Sequence, residues 1–161
     1  MKKILLSLVC MLGVAFAASA ESGDLELGVQ LGHASADNQE GIGVKLQVGL
    51  TDEFRLEPSF NYYFRNNDVS SWDINLNLHY LFDVTENINV YPLAGIFYSG
   101  WKMHGFEGLV DDGTLSRFGA DLGGGVDFAV SSSVSLTGEL KYMFMKDFSQ
   151  LVTSVGVKFK F

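Results

Sequence analysis

The segment Leu151-Val-Thr-Ser-Val-Gly-Val-Lys-Phe-Lys-Phe161 decides the fold that we predict for this chain. Side chains of a β-strand point alternately to opposite faces, so this segment has one apolar face that includes Val155, Val157, Phe159 and Phe161. The opposite face is polar and carries two lysines. A strand that closes a membrane barrel needs such a face, because its outside meets lipid while its backbone seals the sheet.

The opposite end of the chain predicts export. Lys2 and Lys3 precede an apolar run over residues 4–17, and Ala18-Ser19-Ala20 fits a signal-peptidase cleavage site. A membrane anchor is the alternative, but about 14 apolar residues are fewer than the ~20 of a spanning helix. We therefore predict a signal peptide at residues 1–20, export by the Sec pathway and a single barrel domain at 21–161. Cys10 lies in the leader, so no disulfide is expected.

Charge and composition exclude several classes of protein. The chain has 11 basic and 19 acidic residues, and loss of Lys2 and Lys3 would change the net charge from −8 to −10. Such an acidic chain is unsuited to nucleic acid. No later apolar run approaches 20 residues, and no linker or low-complexity segment divides the chain.

Apolar and polar residues alternate along the rest of the chain, which predicts an all-β protein. The alternation defines eight strands, and an even number suits an antiparallel up-and-down transmembrane barrel. They cover residues 25–32, 42–50, 54–65, 72–80, 88–101, 117–128, 134–144 and 151–161.

The register of the fifth strand is ambiguous because residues 88–101 are apolar on both sides for part of their length. We place alternate residues of this strand outward, beginning at Ile88. The residues placed outward are Ile88, Val90, Pro92, Ala94, Ile96 and Tyr98.

The connections alternate between short and longer segments, as an up-and-down barrel requires. Three short ones, at 51–53, 83–87 and 131–133, are predicted to be periplasmic turns. Four others are predicted to be extracellular: His33–Glu40, Asn66–Ser71, Lys102–Leu115 and Asp147–Gln150. Only the third exceeds ten residues, so we expect any extracellular partner to bind there.

Aromatic residues cluster near the predicted strand ends. Tyrosine and tryptophan favour the two interfaces of a membrane, although aromatic residues also favour strands in general. We predict membrane-interface positions for Tyr62, Phe64, Trp72, Tyr80, Trp101, Phe128, Tyr142 and Phe144.

A soluble barrel of the lipocalin type shares the alternation but requires the opposite orientation of the two faces. Its apolar face would line a ligand cavity, and its polar face would meet water. Here the polar face is rich in glycine and has few lysines and glutamates, while the apolar face of the predicted strands carries no charge. These features favour a polar lumen and a lipid-exposed exterior.

The chain thus resembles the small bacterial outer-membrane β-barrel family of the OmpA, OmpX and Opa type. The sharpest motif is Ser154, Gly156, Phe159 and Phe161, which is similar to the assembly signal of that family. The resemblance implies a monomer in the outer membrane of a Gram-negative cell, in contact with outer-membrane lipid and lipopolysaccharide. It also implies recognition by the barrel-assembly machinery.

The predicted inward faces carry seven basic and six acidic residues, so the charge of the lumen is nearly balanced. Buried charges without partners are costly, and balance therefore predicts a network of paired groups. We assign to it Lys45, Arg55, Glu57, Arg117, Asp121, Glu139 and Lys141. Because eight strands leave room only for side chains, an open pore is not expected, although a narrow channel for small solutes is an alternative.

A lipid A-modifying enzyme is a further alternative, since it would place a histidine with serine or acidic partners near the outer leaflet. His33 and His104 are the candidate residues, with Ser99, Ser116, Glu107, Asp111 and Asp112 in their neighbourhood. Their spacing matches no hydrolase motif, and Glu107, Asp111 and Asp112 lack the spacing of a calcium loop. We expect no enzyme, cofactor or metal, and a structural or surface role in adhesion or envelope integrity.

Overall fold

A computed structural model describes residues 25–103, 114–146 and 149–161. The predicted signal peptide lies outside these residues. Nine strands are present in them: β1 (Leu25–Ala34), β2 (Gln39–Gly49), β3 (Phe54–Asn66), β4 (Val69–Tyr80), β5 (Phe82–Thr85), β6 (Ile88–Met103), β7 (Thr114–Ala129), β8 (Val134–Phe144) and β9 (Gln150–Lys160). No helix in the described ranges is both long and apolar enough to span a membrane.

Within the described residues, eight long strands form a closed antiparallel barrel, as predicted. Each pairs with its neighbour in sequence, β4 pairs with β6 past the short β5, and β1 pairs with β9 to close the ring. At this seam, Leu27 lies opposite Phe159 and Val29 opposite Val157. The backbone of Phe161 donates to the carbonyl of Leu25 at 3.0 Å and extends the closure to the last residue.

Side chains of the barrel point in the directions that the alternation predicts. Large apolar side chains cover the outside, and Phe118 and Val155 expose 65% and 64% of their surface. Charged side chains such as Lys45, Glu57 and Lys158 are buried inside. This orientation is the reverse of a lipocalin, and so much exposed apolar surface requires lipid rather than water around it.

The barrel has two ends that differ in their connections. The terminal end holds both ends of the described chain, the turns at 50–53 and 130–133, and the segment 81–87 that contains β5. The loop end holds the connections at 35–38 and 67–68, the end of β6, the start of β7 and the end of β8. The prediction of a loop over Asn66–Ser71 is wrong, because β3 and β4 continue to a turn of only two residues. Asn67 and Asp68 both have positive φ, as a two-residue hairpin turn with the twist of the strands requires.

Other predicted connections are also shorter than expected. Strands β1 and β2 take up half of the predicted His33–Glu40 loop, since Ala34 pairs with Gln39. Of the predicted Lys102–Leu115 loop, Lys102 and Met103 belong to β6 and Thr114 and Leu115 to β7, while residues 104–113 lie outside the described residues.

The short strand β5 replaces part of the predicted turn at 83–87. Pairing of β4 with β6 ends at His79 and Leu93, which leaves the first residues of β6 without a partner on that side. Phe82 pairs with Val90 and Asp83 with Asn89, so β5 satisfies those backbone groups.

The ambiguous strand β6 has the predicted register. Val90, Ile96 and Tyr98 point outward, whereas Tyr91 and Phe97 are buried in the lumen. The prediction that Trp101 lies at the membrane interface is wrong, because Trp101 shares the inward parity of Tyr91 and Phe97. Only 8% of its surface is exposed, and it packs in an apolar cluster inside the barrel.

The remaining predicted interface aromatics point away from the lumen. Tyr62, Phe64, Tyr80, Phe128, Tyr142 and Phe144 are exposed, and Trp72 is half-buried against Tyr98, with ring centroids 5.8 Å apart. Edge-on contacts link Tyr62 with Phe64 at the loop end and Phe54 with Tyr80 at the terminal end. Their contact with the interfaces of a bilayer stays a prediction.

Introducing a charged residue at the centre of the outer face tests whether this face is in contact with lipid. Val155 is the middle residue of β9 and points outward. We expect Val155→Arg to reduce the free energy of unfolding from vesicles by about 2–4 kcal/mol, the cost of arginine at the bilayer midplane. Urea titration of the refolded barrel measures this, with Ser132→Arg in an exposed turn as the control. Equal stability of the two variants would contradict a lipid-facing exterior.

Candidate functional site: the barrel interior

Lys45 on β2 holds two carboxylates from other walls of the barrel. Its Nζ lies 2.6 Å from Glu139 Oε1 on β8 and 3.4 Å from Glu57 Oε2 on β3. Gln47, two residues along β2, donates from its amide to Glu57. All four side chains are buried, so these charges depend on each other for solvation.

A second group of ion pairs lies nearer the terminal end. Lys158 Nζ donates to Asp127 Oδ2 at 2.6 Å and to Glu26 Oε2 at 2.7 Å. Arg55 Nη1 donates to the same Asp127 oxygen at 2.8 Å. Lys158 also donates to Gln47 Oε1 at 2.7 Å, which joins this group to the one around Lys45.

Tyr91 fills the space between the two groups. Its hydroxyl donates to Glu139 Oε1 at 2.8 Å, and its ring stacks on His79 with centroids 4.6 Å apart. The guanidinium carbon of Arg55 lies 4.7 Å from the centre of the same ring. Gly125 makes room for the ring, since a Cβ atom there would lie 2.5 Å from the tyrosine.

A layer of amides and charges lies further toward the loop end. Asp73 Oδ1 accepts from Asn61 at 2.7 Å and from Asn75 at 2.6 Å. Lys141 Nζ donates to Asn75 Oδ1 at 3.0 Å and lies 3.2 Å from Asp121 Oδ2. The described interior therefore contains the two joined ion-pair groups and this separate polar layer, each spanning several strands.

This geometry shows which predicted network residues meet. Lys45, Arg55, Glu57 and Glu139 lie in the joined groups, and Asp121 pairs with Lys141 in the amide layer. The prediction for Arg117 is wrong within the part of the chain that the structure describes: its guanidinium donates to the carbonyl of Ser116 at 3.1 Å. Arg117 lies opposite Ser99 near the loop end, four residues along β7 from Asp121, and is only half-buried there.

The assigned network omitted several residues that complete it. Alternation alone indicates that Lys158 and Asp127 point inward, so the sequence is sufficient to assign both residues to the network. The predicted register also points Tyr91 inward, but on a strand that is apolar on both sides nothing in the sequence marks it as a partner of the ion pairs. Arg65 and Lys160 have inward parity but are exposed at the barrel ends, where Arg65 pairs with Asp68.

The loop end of the lumen is apolar rather than charged. Buried side chains from β1, β3, β6, β8 and β9 and from the segment after β8 pack against each other, with Val69 and Leu115 against them. We call this group the apolar plug; its buried members are Ala34, Tyr63, Phe97, Trp101, Met143, Met145 and Val152.

The terminal end of the lumen is open. A cavity of about 1300 Å³ is lined there by turn residues and reaches Arg55, Asp127 and Lys158. We call it the terminal vestibule. The described interior is thus open at one end, polar in the middle and apolar at the other end.

Glu57, His79 and Glu139 place potential metal ligands within 4.8 Å of each other. Arg55 Nη2 lies 3.1 Å from His79 Nδ1, and because arginine only donates, the ring proton must be on Nε2. Nε2 therefore offers no lone pair to a metal, and the Lys45 ammonium already lies between the carboxylates. We assign these three residues to the ion-pair network.

Solved structures support the fold. The chain superimposes on the N-terminal barrel domain of Pseudomonas aeruginosa OprF with a TM-score of 0.72 and 19% identity, over 87% of this chain and 100% of that one. Neisserial surface protein A gives 0.70 and 17%, over 86% and 97%. Ail, the attachment invasion locus protein of Yersinia pestis, gives 0.63 and 16%, over 86% and 97%. No match was found among curated protein sequences.

The closed barrel, its apolar exterior and its polar interior define an integral outer-membrane β-barrel. Residues 4–161 match the family described as outer membrane protein beta-barrel domain, and the chain belongs to that family. The resemblance inferred from the alternation and from the terminal motif is therefore confirmed.

Removal of one partner tests the energetics of the network. We expect Lys45→Met to destabilise the barrel by about 3–5 kcal/mol, because Glu57 and Glu139 would keep their charges without a counter-ion. Arg65→Met is a matched control that removes an exposed pair, where we expect less than about 1 kcal/mol. Equal losses in urea unfolding would show that the buried pairs contribute no more than a surface pair.

Proposed function

We propose that this chain is a monomeric outer-membrane barrel with a closed lumen and a structural or surface-interaction role, in adhesion or envelope integrity. The observation that carries this proposal is the filled interior. The ion-pair network and the apolar plug lie in series along the lumen, and their side chains are buried. A barrel filled in this way acts through its exterior and its loop end rather than through transport.

The orientation that we propose follows the family. The terminal end faces the periplasm, and the loop end faces the outside in contact with outer-membrane lipid and lipopolysaccharide. A partner would bind through the Lys102–Leu115 segment, whose residues 104–113 lie outside the described residues. The Sec pathway would deliver the chain after removal of residues 1–20.

We propose no catalytic role. His33 Nδ1 lies 2.9 Å from an exposed carboxylate oxygen of Glu40 on the adjacent strand. Ser99 is buried in the lumen on β6. His104, Glu107, Asp111 and Asp112 belong to the segment outside the described residues. The arrangement of His33 and Ser99 supplies no activated nucleophile.

A small channel is the second candidate, and the terminal vestibule is the observation that favours it. Planar-bilayer recording on refolded wild-type barrel separates the two functions. We expect heat-dependent gel mobility, recovery in the outer-membrane fraction and no conductance steps. Stable steps would favour the channel, and recovery as a soluble protein without a heat shift would contradict both functions.

The motif at the end of β9 generates a separate prediction. Phe159 and Phe161 are exposed, and Phe159 lies opposite Leu27 at the seam. If assembly machinery reads these rings, Phe159→Ala with Phe161→Ala should reduce the folded barrel in cells more strongly than refolding into vesicles. Leu151→Ala, outward on the same strand, is the control. Equal reductions in cells and in vesicles would show that the rings contribute only to folding.

A further inference from the structure

The apolar plug gathers seven buried, mostly apolar side chains at the loop end, whereas most of the buried inward positions below it are polar. On β6 the inward residues Phe97 and Trp101 belong to the plug, and on β8 Met143 does. Two positions back along β8, the inward residue is Lys141, which belongs to the polar network. On β8 the change from polar to apolar lining therefore takes place within one step of the strand pleat.

Below the plug, the cations have several acceptors within reach. Lys158 donates to Glu26, Gln47 and Asp127, and Lys45 lies within 3.4 Å of two carboxylates. Side chains with alternative partners can exchange one hydrogen bond for another without leaving a charge unpaired. An ion or water that enters this region meets polar groups at each level.

Tyr63 and Trp101 carry one polar group each, and the other members of the plug provide no such replacement. Phe97, Met143 and Val152 carry no side-chain group that could replace the water shell of an ion, and they are buried. Transfer of an ion into an apolar surrounding costs far more than an exchange of hydrogen bonds. Apolar constrictions close channels in this way, by excluding water.

We propose that the apolar plug is the barrier that closes this barrel, and that the polar interior beneath it is a latent ion pathway that opens through the terminal vestibule. The inference goes beyond the proposed function, which requires only that the wild-type lumen is closed. It assigns the closure to the plug and not to the ion pairs of the network.

The lining of the vestibule defines which ions the opened pathway would favour. Five acidic residues and three basic residues line it, so its potential attracts cations. They are Glu26, Asp52, Asp83, Glu86 and Asp127 against Arg55, Lys158 and Lys160.

The test compares three refolded barrels in planar bilayers. The plug variant carries Phe97→Ala and Met143→Ala, which remove two buried side chains of the plug, one from β6 and one from β8. The matched control carries Tyr98→Ala and Phe144→Ala, one position further along the same strands and pointing outward. The network variant carries Lys45→Met and Glu139→Gln, which remove the 2.6 Å ion pair and leave the plug intact.

We expect conductance steps from the plug variant alone, with a reversal potential in a potassium chloride gradient that shows preference for potassium. If the plug variant is folded, as shown by heat-dependent gel mobility, and gives no conductance steps, the proposal is wrong. Conductance steps of equal size from the network variant would also overturn it. Preference for chloride would overturn the assignment of the vestibule. Conductance of the wild type would instead contradict the proposed function.

Loss of two large buried side chains costs several kcal/mol, so the double variant is demanding to refold. Met143→Ser removes one plug side chain and introduces a polar group at the same level. We expect conductance steps from Met143→Ser and none from the control Phe144→Ser, which changes a residue on the outer face. If a folded Met143→Ser barrel is silent in the same recordings, the plug is not the barrier.

Discussion

The pairing of β1 with β9 is the interaction on which the rest of this structure depends. Lipid offers no hydrogen-bond partners, so a sheet inside it is stable only when its first and last strands satisfy each other's backbone. Leu27 opposite Phe159 and Val29 opposite Val157 provide that seam. Closure at eight strands then fixes a narrow lumen, which side chains must fill. The seam therefore dictates the composition of the interior as well as the continuity of the backbone.

The ion-pair network is a consequence of that narrow lumen. Gly28 lies opposite Lys158 at the seam, and a Cβ atom at Gly28 would lie 3.3 Å from Lys158 Cγ and 3.0 Å from Lys45 Cγ. The small residue on β1 thus gives space to the two lysines around which the ion pairs form. Their carboxylate partners come from β1, β3, β7 and β8. Glu139 and Asp127 lie on strands that do not pair with those of Lys45 and Lys158, respectively, so the network also connects walls that share no backbone hydrogen bonds.

Alternation predicts whether a side chain points inward or outward. It does not predict the level of that side chain along the barrel axis, or its partner. Lys45, Glu57 and Glu139 were placed inward correctly because each strand has one polar face. The alternation does not show that Arg117 lies nearer the loop end than its expected partners, because the position of a residue along the barrel axis depends on the stagger between strands. Trp101 was assigned outward by residue type although its parity with Phe97 pointed inward. Strand β5 was missed because four exposed residues in a turn carry too short a pattern to detect.

The distribution of polar and apolar residues inside the barrel allows the lumen to be closed while the unfolded chain avoids long hydrophobic segments. A chain bound for the outer membrane crosses water before it folds, and strands apolar on both faces would form continuous hydrophobic segments prone to aggregate. Polar inward faces such as that of β4, with Asp73 and Asn75, interrupt these segments. The apolar plug takes only one or two positions from each of five strands, and β6 supplies both Phe97 and Trp101. Closure by an apolar layer is therefore compatible with export only if that layer is thin. For this reason polar side chains fill the remaining length of the described lumen.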